Sequence, residues 1–302
     1  MSKQKKFWIF IGILAFFAPV LVVAWHFRLV ALAQHWIGAS LRAEAWRHHS
    51  LQLSAYRVTL EAHPISGLTR NLSSLTYNTR TDTLFATINH PPQVVEITRE
   101  GHLLRQIPVT GIDDLEGISH VEENRFILID ERKQRVYWDV PIAPETQSID
   151  VSRLPRLELG LLLNENFGFE GITWNHHTRQ LFVAKEKPPR IFVIHNPAQP
   201  ERGDTFDLNI RDWSKPAAFM RDISSLSLND KNGHMLILSD ESKLLVEYSK
   251  EGELLGLLPL WIGWHGLKRS IPQAEGATVA PDGTIYIVSE PNLFYRFERP
   301  HT

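Results

Sequence analysis

The chain has 302 residues and not one cysteine, so no disulfide staples it and no thiolate can hold a metal. It lacks any long Lys/Arg stripe. Thirty-two basic residues stand against 34 acidic ones, a formal net charge of −2. Binding to a phosphate backbone needs a basic surface, so nucleic acid is excluded as a partner class. Gly-x-Ser-x-Gly, His-Glu-x-x-His and a phosphate loop are also missing. The usual signatures of serine hydrolases, zinc peptidases and nucleotide-binding enzymes go with them.

Beyond the N-terminus there is no apolar run long enough to span a bilayer. The one such run is Phe7–Phe27, broken only by His26 and preceded by Lys3, Lys5 and Lys6. At about 1.5 Å per residue it matches a hydrocarbon core of about 30 Å. Lysines on its N-terminal side favour a cytoplasmic N-terminus. Trp8 and Trp25 lie near its two ends, where interfacial tryptophans belong. The expected organisation is a cytoplasmic basic tail over 1–6 and a single-pass signal-anchor helix over 7–27, with the lipid bilayer as its partner. A linker over 28–55 and an exported domain over 56–299 follow. The rival is a cleaved signal peptide, because Ala31-Leu32-Ala33 has the form of a cleavage site. Both readings export the domain. His48-His49, inside the linker, reads as part of a stalk rather than a metal site.

What is present is a repeat. Leu72-Ser73-Ser74-Leu75, Leu115-Glu116-Gly117-Ile118, Phe169-Glu170-Gly171-Ile172, Ile223-Ser224-Ser225-Leu226 and Ala274-Glu275-Gly276-Ala277 share one design. From Ser73 the steps to Glu116, Glu170, Ser224 and Glu275 are 43, 54, 54 and 51 residues. A period of about 40–55 residues built from short strands is the signature of β-propeller blades. Each repeat reads as four strands, A to D, separated by turn residues such as Asp230-Lys231-Asn232-Gly233. The expected fold is an all-β, five-bladed propeller. The alternative is six-bladed, with residues 140–167 as an extra blade. The fifth repeat stops after three strands, which leaves an open edge. Tyr56–Leu60 alternates apolar and polar and is the expected fourth strand, closing the ring.

In a propeller, strand A lines the channel and strand B returns beside it. The start of A and the end of B therefore share one face. The repeat motif sits at the start of A. At the end of B stand Asn89-His90, Asp130-Glu131, Lys185-Glu186, Asp240-Glu241 and Ser289-Glu290. Glu116, Glu170 and Glu275 should meet near the axis, with Glu131, Glu186, Glu241 and Glu290 just outside them. Crowded carboxylates raise one another's pKa unless a cation neutralises them. An all-oxygen donor set suits Ca²⁺, whereas zinc usually brings His or Cys ligands. The plain alternative is a solvated channel lining in which outer carboxylates pair with Arg132, Lys185, Lys187 and Lys243.

Taken together, Asn71-Leu-Ser-Ser-Leu-Thr-Tyr-Asn78, Asp114-Leu-Glu-Gly-Ile-Ser119, Phe169-Glu-Gly-Ile-Thr-Trp-Asn175, Asp222-Ile-Ser-Ser-Leu-Ser227 and Ala274-Glu-Gly-Ala277, behind a membrane segment, resemble the SdiA-regulated (YjiK/CarP-like) family. The resemblance covers residues 56–298. It implies one propeller behind an N-terminal membrane segment, calcium in the propeller, distant kinship to NHL-repeat propellers and, in Gram-negative bacteria, a periplasmic domain at the inner membrane. It carries no established catalytic activity. Ser73 and Ser224 depart from glutamate, so the site need not be five-fold symmetric.

Two functions follow as expectations. The first is a calcium-responsive binding module of the envelope, recognising a protein, peptide or small ligand on the glutamate face. The second is a calcium-dependent hydrolase of esters, lactones or phosphoesters, with Glu170, His90 or His265 as base. His176-His177 falls in the A–B turn on the opposite face. Trp261, Trp264 and His265 sit in a loop that would either cap the channel or bury its tryptophans. The topology is tested by reporter fusions after residue 60: a reporter that works only outside the cytoplasm should be active and a cytoplasmic one silent. Loss of residues 1–33 from the mature protein would select the cleaved signal.

Overall fold

The computed structural model describes residues 3–26, a few positions between 33 and 41, and 49–159, 168–195, 208–209 and 220–300. Helix α1 covers Lys3–His26. Among the described residues no helix is long and apolar enough to cross a membrane. The anchor rests on the sequence of residues 7–27 alone. Phe27, Ala31 and Leu32 of the expected anchor and cleavage site, and His48 of the linker, lie outside the described residues.

Five four-stranded blades form, as the repeat predicts. Strand β1 (Arg57–Pro64) comes first in the chain. Blade 1 is β2 (Leu72–Asn78), β3 (Thr83–Ile88), β4 (Gln93–Ile97) and β5 (Leu103–Thr110). Blade 2 is β6 (Leu115–Glu122), β7 (Arg125–Asp130) and β8 (Arg135–Pro141). Two short strands follow, β9 (Ile149–Asp150) and β10 (Arg156–Glu158). Blade 3 is β11 (Phe169–Asn175), β12 (Gln180–Lys185), β13 (Arg190–His195) and β14 (Leu208–Asn209). Blade 4 is β15 (Ser225–Asn229), β16 (His234–Ser239), β17 (Leu244–Tyr248) and β18 (Leu254–Pro259). Blade 5 is β19 (Gln273–Val279), β20 (Ile285–Glu290) and β21 (Leu293–Glu298).

The ring closes as expected. Strand β1 pairs antiparallel with β21, with Arg57 opposite Glu298 and Pro64 opposite Leu293. The strand starts one residue later than Tyr56 and runs four residues past Leu60, bending at two irregularities in register. Tyr56 is fully buried, and its hydroxyl donates to the Gly283 carbonyl at 2.6 Å. Among the described residues 140–159 no sixth blade is built; residues 160–167 lie outside the described ones. The described stretch splits instead: β10 becomes the fourth strand of blade 2, and β9 adds parallel to the outside of β5 in blade 1. Pro141, Pro144 and Pro155 interrupt this stretch, and a proline cannot donate to a strand ladder.

The apolar core is five layers rather than one. Each buried cluster joins two neighbouring blades, for example Phe85, Ile107 and Val109 of blade 1 with Ile118, Phe126 and Leu128 of blade 2. The packed chain also begins before the expected boundary at 56. Leu53 is fully buried in the layer between blades 4 and 5. The Leu51 N–H donates to both oxygens of the buried Glu247 at 3.0 and 2.9 Å, and His234 Nδ1 donates to the same carboxylate at 2.8 Å. Residues from His49 onward are therefore part of the propeller.

Neighbouring blades touch most closely at the glycine of the motif. A Cβ on Gly276 would lie 2.4 Å from the Ser74 carbonyl carbon, which is backbone and cannot swing away. Gly276→Ala is expected to cost about 1–3 kcal/mol by overpacking, read as a lower melting temperature. Gly256→Ala, whose new Cβ would meet Leu53 at an ordinary 3.4 Å, is the control and should cost little.

Candidate metal centre

The inner edge of strand A decides where the polar side chains go. In blades 1, 2, 3 and 5 the register slips at the motif: Leu115 pairs with Asp130 and Gly117 with Ile129, leaving Glu116 unpaired between them. Glu170 and Glu275 are skipped in the same way, as is Ser74. A bulge of this kind re-aims the extra residue out of the ladder. Three glutamates are thereby turned into the mouth of the channel, each half-buried.

Around Glu116 the carboxylates draw together. Ligand-type oxygens of Asp114, Glu116 and Glu131 all lie within 4.8 Å of one another. Ser73 Oγ donates to Glu116 Oε2, and Asn89 Nδ2 to Glu116 Oε1, both at 2.6 Å. Glu131 reaches across to blade 3 and accepts the Gly168 N–H at 3.0 Å. A Cβ on Gly168 would lie 1.9 Å from Glu131 Cγ, so any other residue there would displace the Glu131 side chain. The second half of the mouth is a cavity of about 550 Å³ lined by Glu170, Glu275, Asp222 and Asp240 among others. Asp222 is buried and accepts hydrogen bonds from Ser239, from Ser224 at 3.3 Å and from the Glu241 N–H.

Burial is the main force on these groups, and their mutual repulsion adds to it. Burial pushes Glu170 up to about 10, helped by Glu186, Glu275, Glu131 and Glu116. Glu275 is pushed up to about 8 by burial and then by Asp240, Glu116 and Glu290, against a hydrogen bond from Gln273. Glu131 is pushed up to about 7 by burial and by Glu116 and Asp114. Glu116 is raised by burial despite its two donors, and Glu290 is raised by burial alone.

The seven expected glutamates thus divide. Glu116, Glu170, Glu275 and Glu131 share one acidic field, and Glu290 contributes to it. Glu186 and Glu241 are compensated instead. Lys187 Nζ bridges them at 2.7 and 3.0 Å, and Arg221 adds a 3.3 Å contact to Glu241. Asp114 and Asp222 were missed as site residues. Both stand two places before the motif's polar position, so the Asp-x-[Glu/Ser] spacing carried the signal.

Two expectations about the surroundings are corrected. The Trp261–Gly266 loop neither caps the channel nor buries its tryptophans. It packs on the outermost strand β1 through Val58 N–H to the His265 carbonyl at 2.8 Å, and Trp261 and Trp264 stay exposed. His265, on the same loop, is bound by its Nδ1 to the Tyr56 carbonyl at 2.8 Å and is not among the residues lining the cavity at the glutamate mouth.

The raised pKa values set a pH dependence. Their folded-state values lie above the ordinary 4.5, so the folded chain holds extra protons between that pH and about 10. The associated stability is full below about pH 4.5 and is lost as pH rises through about 7, 8 and 10. Without divalent cations, the melting temperature should fall from pH 6 to pH 9 in a thermal scan. Glu170→Gln should flatten that fall.

The SdiA-regulated family matches residues 48–298 of the chain. Among solved structures, a protein of unknown function from Bacteroides thetaiotaomicron is 10% identical with a TM-score of 0.53, covering 80% of this chain and 76% of its own. A streptogramin B lyase is 10% identical, TM-score 0.48, covering 80% and 98%. The nidogen/laminin complex gives 12% identity, TM-score 0.45 and 73% of each chain. At such identities the likeness is one of fold alone. With five blades in a closed ring and nearly the whole packed chain matched, the protein belongs to the SdiA-regulated family.

Proposed function

We propose that the glutamate mouth takes Ca²⁺ and that the protein is a calcium-responsive binding module of the bacterial envelope. One observation carries the metal: the Asp114, Glu116 and Glu131 oxygens gather beside Asn89, whose Oδ1 is buried with no hydrogen-bond partner among the described residues. Asn89 cannot turn that oxygen toward Glu116 without losing its 2.6 Å donation and facing a carboxylate. The donor chemistry fits a hard cation: every group is an oxygen, and Glu170 and Glu275 complete the acidic rim. Bound there, Ca²⁺ would supply positive charge to Glu116 and Glu131, while Asp114 already has Arg132 at 3.5 Å.

The anchor belongs to the same proposal. Phe7–Phe27 would hold the chain in the inner membrane with its N-terminus cytoplasmic and the propeller in the periplasm. The partner on the glutamate face would be an envelope protein, peptide or small ligand. We favour binding over hydrolysis. His265 lies on the loop packed against the outermost strand β1 and not in the cavity at the mouth, and the sequence carries no nucleophile signature.

Calorimetric titration tests the reading. Ca²⁺ should bind the full chain with proton release, tighten from pH 6 to pH 8 and raise the melting temperature. A hundredfold excess over Kd would add about 2.7 kcal/mol. Glu116→Gln and Glu170→Gln should each weaken binding. No heat and no thermal shift at millimolar Ca²⁺ would reject the metal. Calcium-dependent turnover of an ester, lactone or phosphoester that disappears in folded Glu170→Gln would move the protein to the hydrolases.

A further inference from the structure

The other end of the channel holds a second site of different chemistry. A cavity of about 530 Å³ opens among the A–B turns and touches all five blades. That volume lies within the range of small-molecule sites, about 300–1,000 Å³. Its floor is a ring of hydroxyls, Thr76, Ser119, Thr173, Ser227 and Thr278, each three residues after the motif's polar position. Thr76 and Thr173 each accept one backbone N–H from the next blade, His120 N and Leu228 N, both at 3.1 Å. Among the described residues nothing accepts their own protons, which remain as donors.

The wall supplies acceptors and aromatic surface. His120 is 6% exposed, and its Nε2 lies 3.1 Å from the Glu123 carbonyl. A carbonyl only accepts, so Nε2 carries the proton and Nδ1 is left as an acceptor with no partner among the described residues. His177 is fixed in the same tautomer by the Asp230 carbonyl at 2.9 Å. The Asp230 carboxylate is a further acceptor, facing His176 Nε2 at 3.8 Å. Half-buried Tyr77 adds ring surface, whereas Trp174 is buried with its ring edge-on to Trp138 in the layer between blades 2 and 3. The lining carries one carboxylate, Asp230, and one ammonium, Lys231, so its formal charges balance. A free ion of either sign therefore gains little. A ligand that offers and accepts hydrogen bonds by turns, and carries an apolar face, fits every group named.

We propose that this cavity binds a saccharide, a neutral polyhydroxylated ring with hydroxyls on the Thr76–Thr173 floor and the imidazole and Asp230 wall, and its C–H face against Tyr77. The ring is either a free sugar or the end of a glycan. It does not depend on calcium at the opposite mouth.

The test is calorimetry on the full chain in a zwitterionic detergent without a sugar headgroup. The probes are glucose, N-acetylglucosamine, maltotetraose and chitotetraose. At least one should bind saturably at millimolar concentration. Tetramers binding better than their monomers would point to a glycan end, and equal affinities to a free sugar. His176→Ala with Asp230→Asn, both at the exposed rim, should weaken binding at least tenfold and leave the melting temperature unchanged. Glu170→Gln should bind sugar as the parent does, so loss of the calcium reading and loss of this one are separable. The proposal is overturned if no sugar saturates, if the rim variant binds as well as the parent, or if only tetramethylammonium or acetate binds.

Discussion

The inner edge of strand A is the constraint on which this propeller rests. Strand A has a ladder partner on one side only, and its other edge faces the channel and the next blade. Backbone N–H groups left there would be buried without acceptors. The chain answers with side-chain hydroxyls handed from blade to blade. Ser74 accepts from Ile118, Thr76 from His120, Ser119 from Trp174, Thr173 from Leu228 and Ser225 from Ala277. Where the motif reads Glu-Gly, the glycine lets the neighbouring blade approach. A Cβ on Gly171 would lie 2.9 Å from Leu226 Cγ, and one on Gly117 the same distance from Ile172 Cγ2. Hydroxyl or glycine at one position is thus a choice between bonding the next blade and yielding space to it.

The same edge produces the acidic mouth. The bulge that skips Glu116, Glu170 and Glu275 also aims them at one axis, so carboxylates accumulate at a half-buried mouth. Burying charge without compensation is costly. The protein compensates part of the rim itself, with Lys187 and Arg221 on Glu186 and Glu241. It leaves Glu170 and Glu275 without such cations among the described residues. The two ends of the channel therefore differ in kind. One is anionic and under electrostatic strain, and the other is neutral and rich in hydroxyl and imidazole groups.

Closure couples the N-terminal segment to both halves of this architecture. Strand β1 completes blade 5, Tyr56 reaches Gly283, and Leu53 fills the layer between blades 4 and 5. Leu51 is bound to Glu247, and Asn232 Nδ2 donates to the His49 carbonyl at 2.7 Å. That last contact lies at an A–B turn, so the chain joins the propeller at the neutral end. Because the core is divided into five layers between blades, loss of this segment would open one layer and unpair one sheet edge together.

Blade number, the axial position of Glu116, Glu170 and Glu275, and the closing strand were legible in the sequence. They follow from period and alternation, which a chain carries locally and repeats. The hydroxyl ring was equally periodic in Thr76, Ser119, Thr173, Ser227 and Thr278, but common residue types give no chemical signal until an edge is seen to need acceptors. Tertiary structure alone decided the rest. It brought Ser73 and Asn89 of blade 1 onto Glu116 of the blade 2 acidic cluster, paired Lys187 with two carboxylates from different repeats, and drew the Trp261–Gly266 loop onto β1 rather than over the channel. It also divided residues 140–159 between blades 1 and 2. These depend on contacts between segments distant in sequence, where distance, burial and competing partners fix the outcome and no local pattern records it.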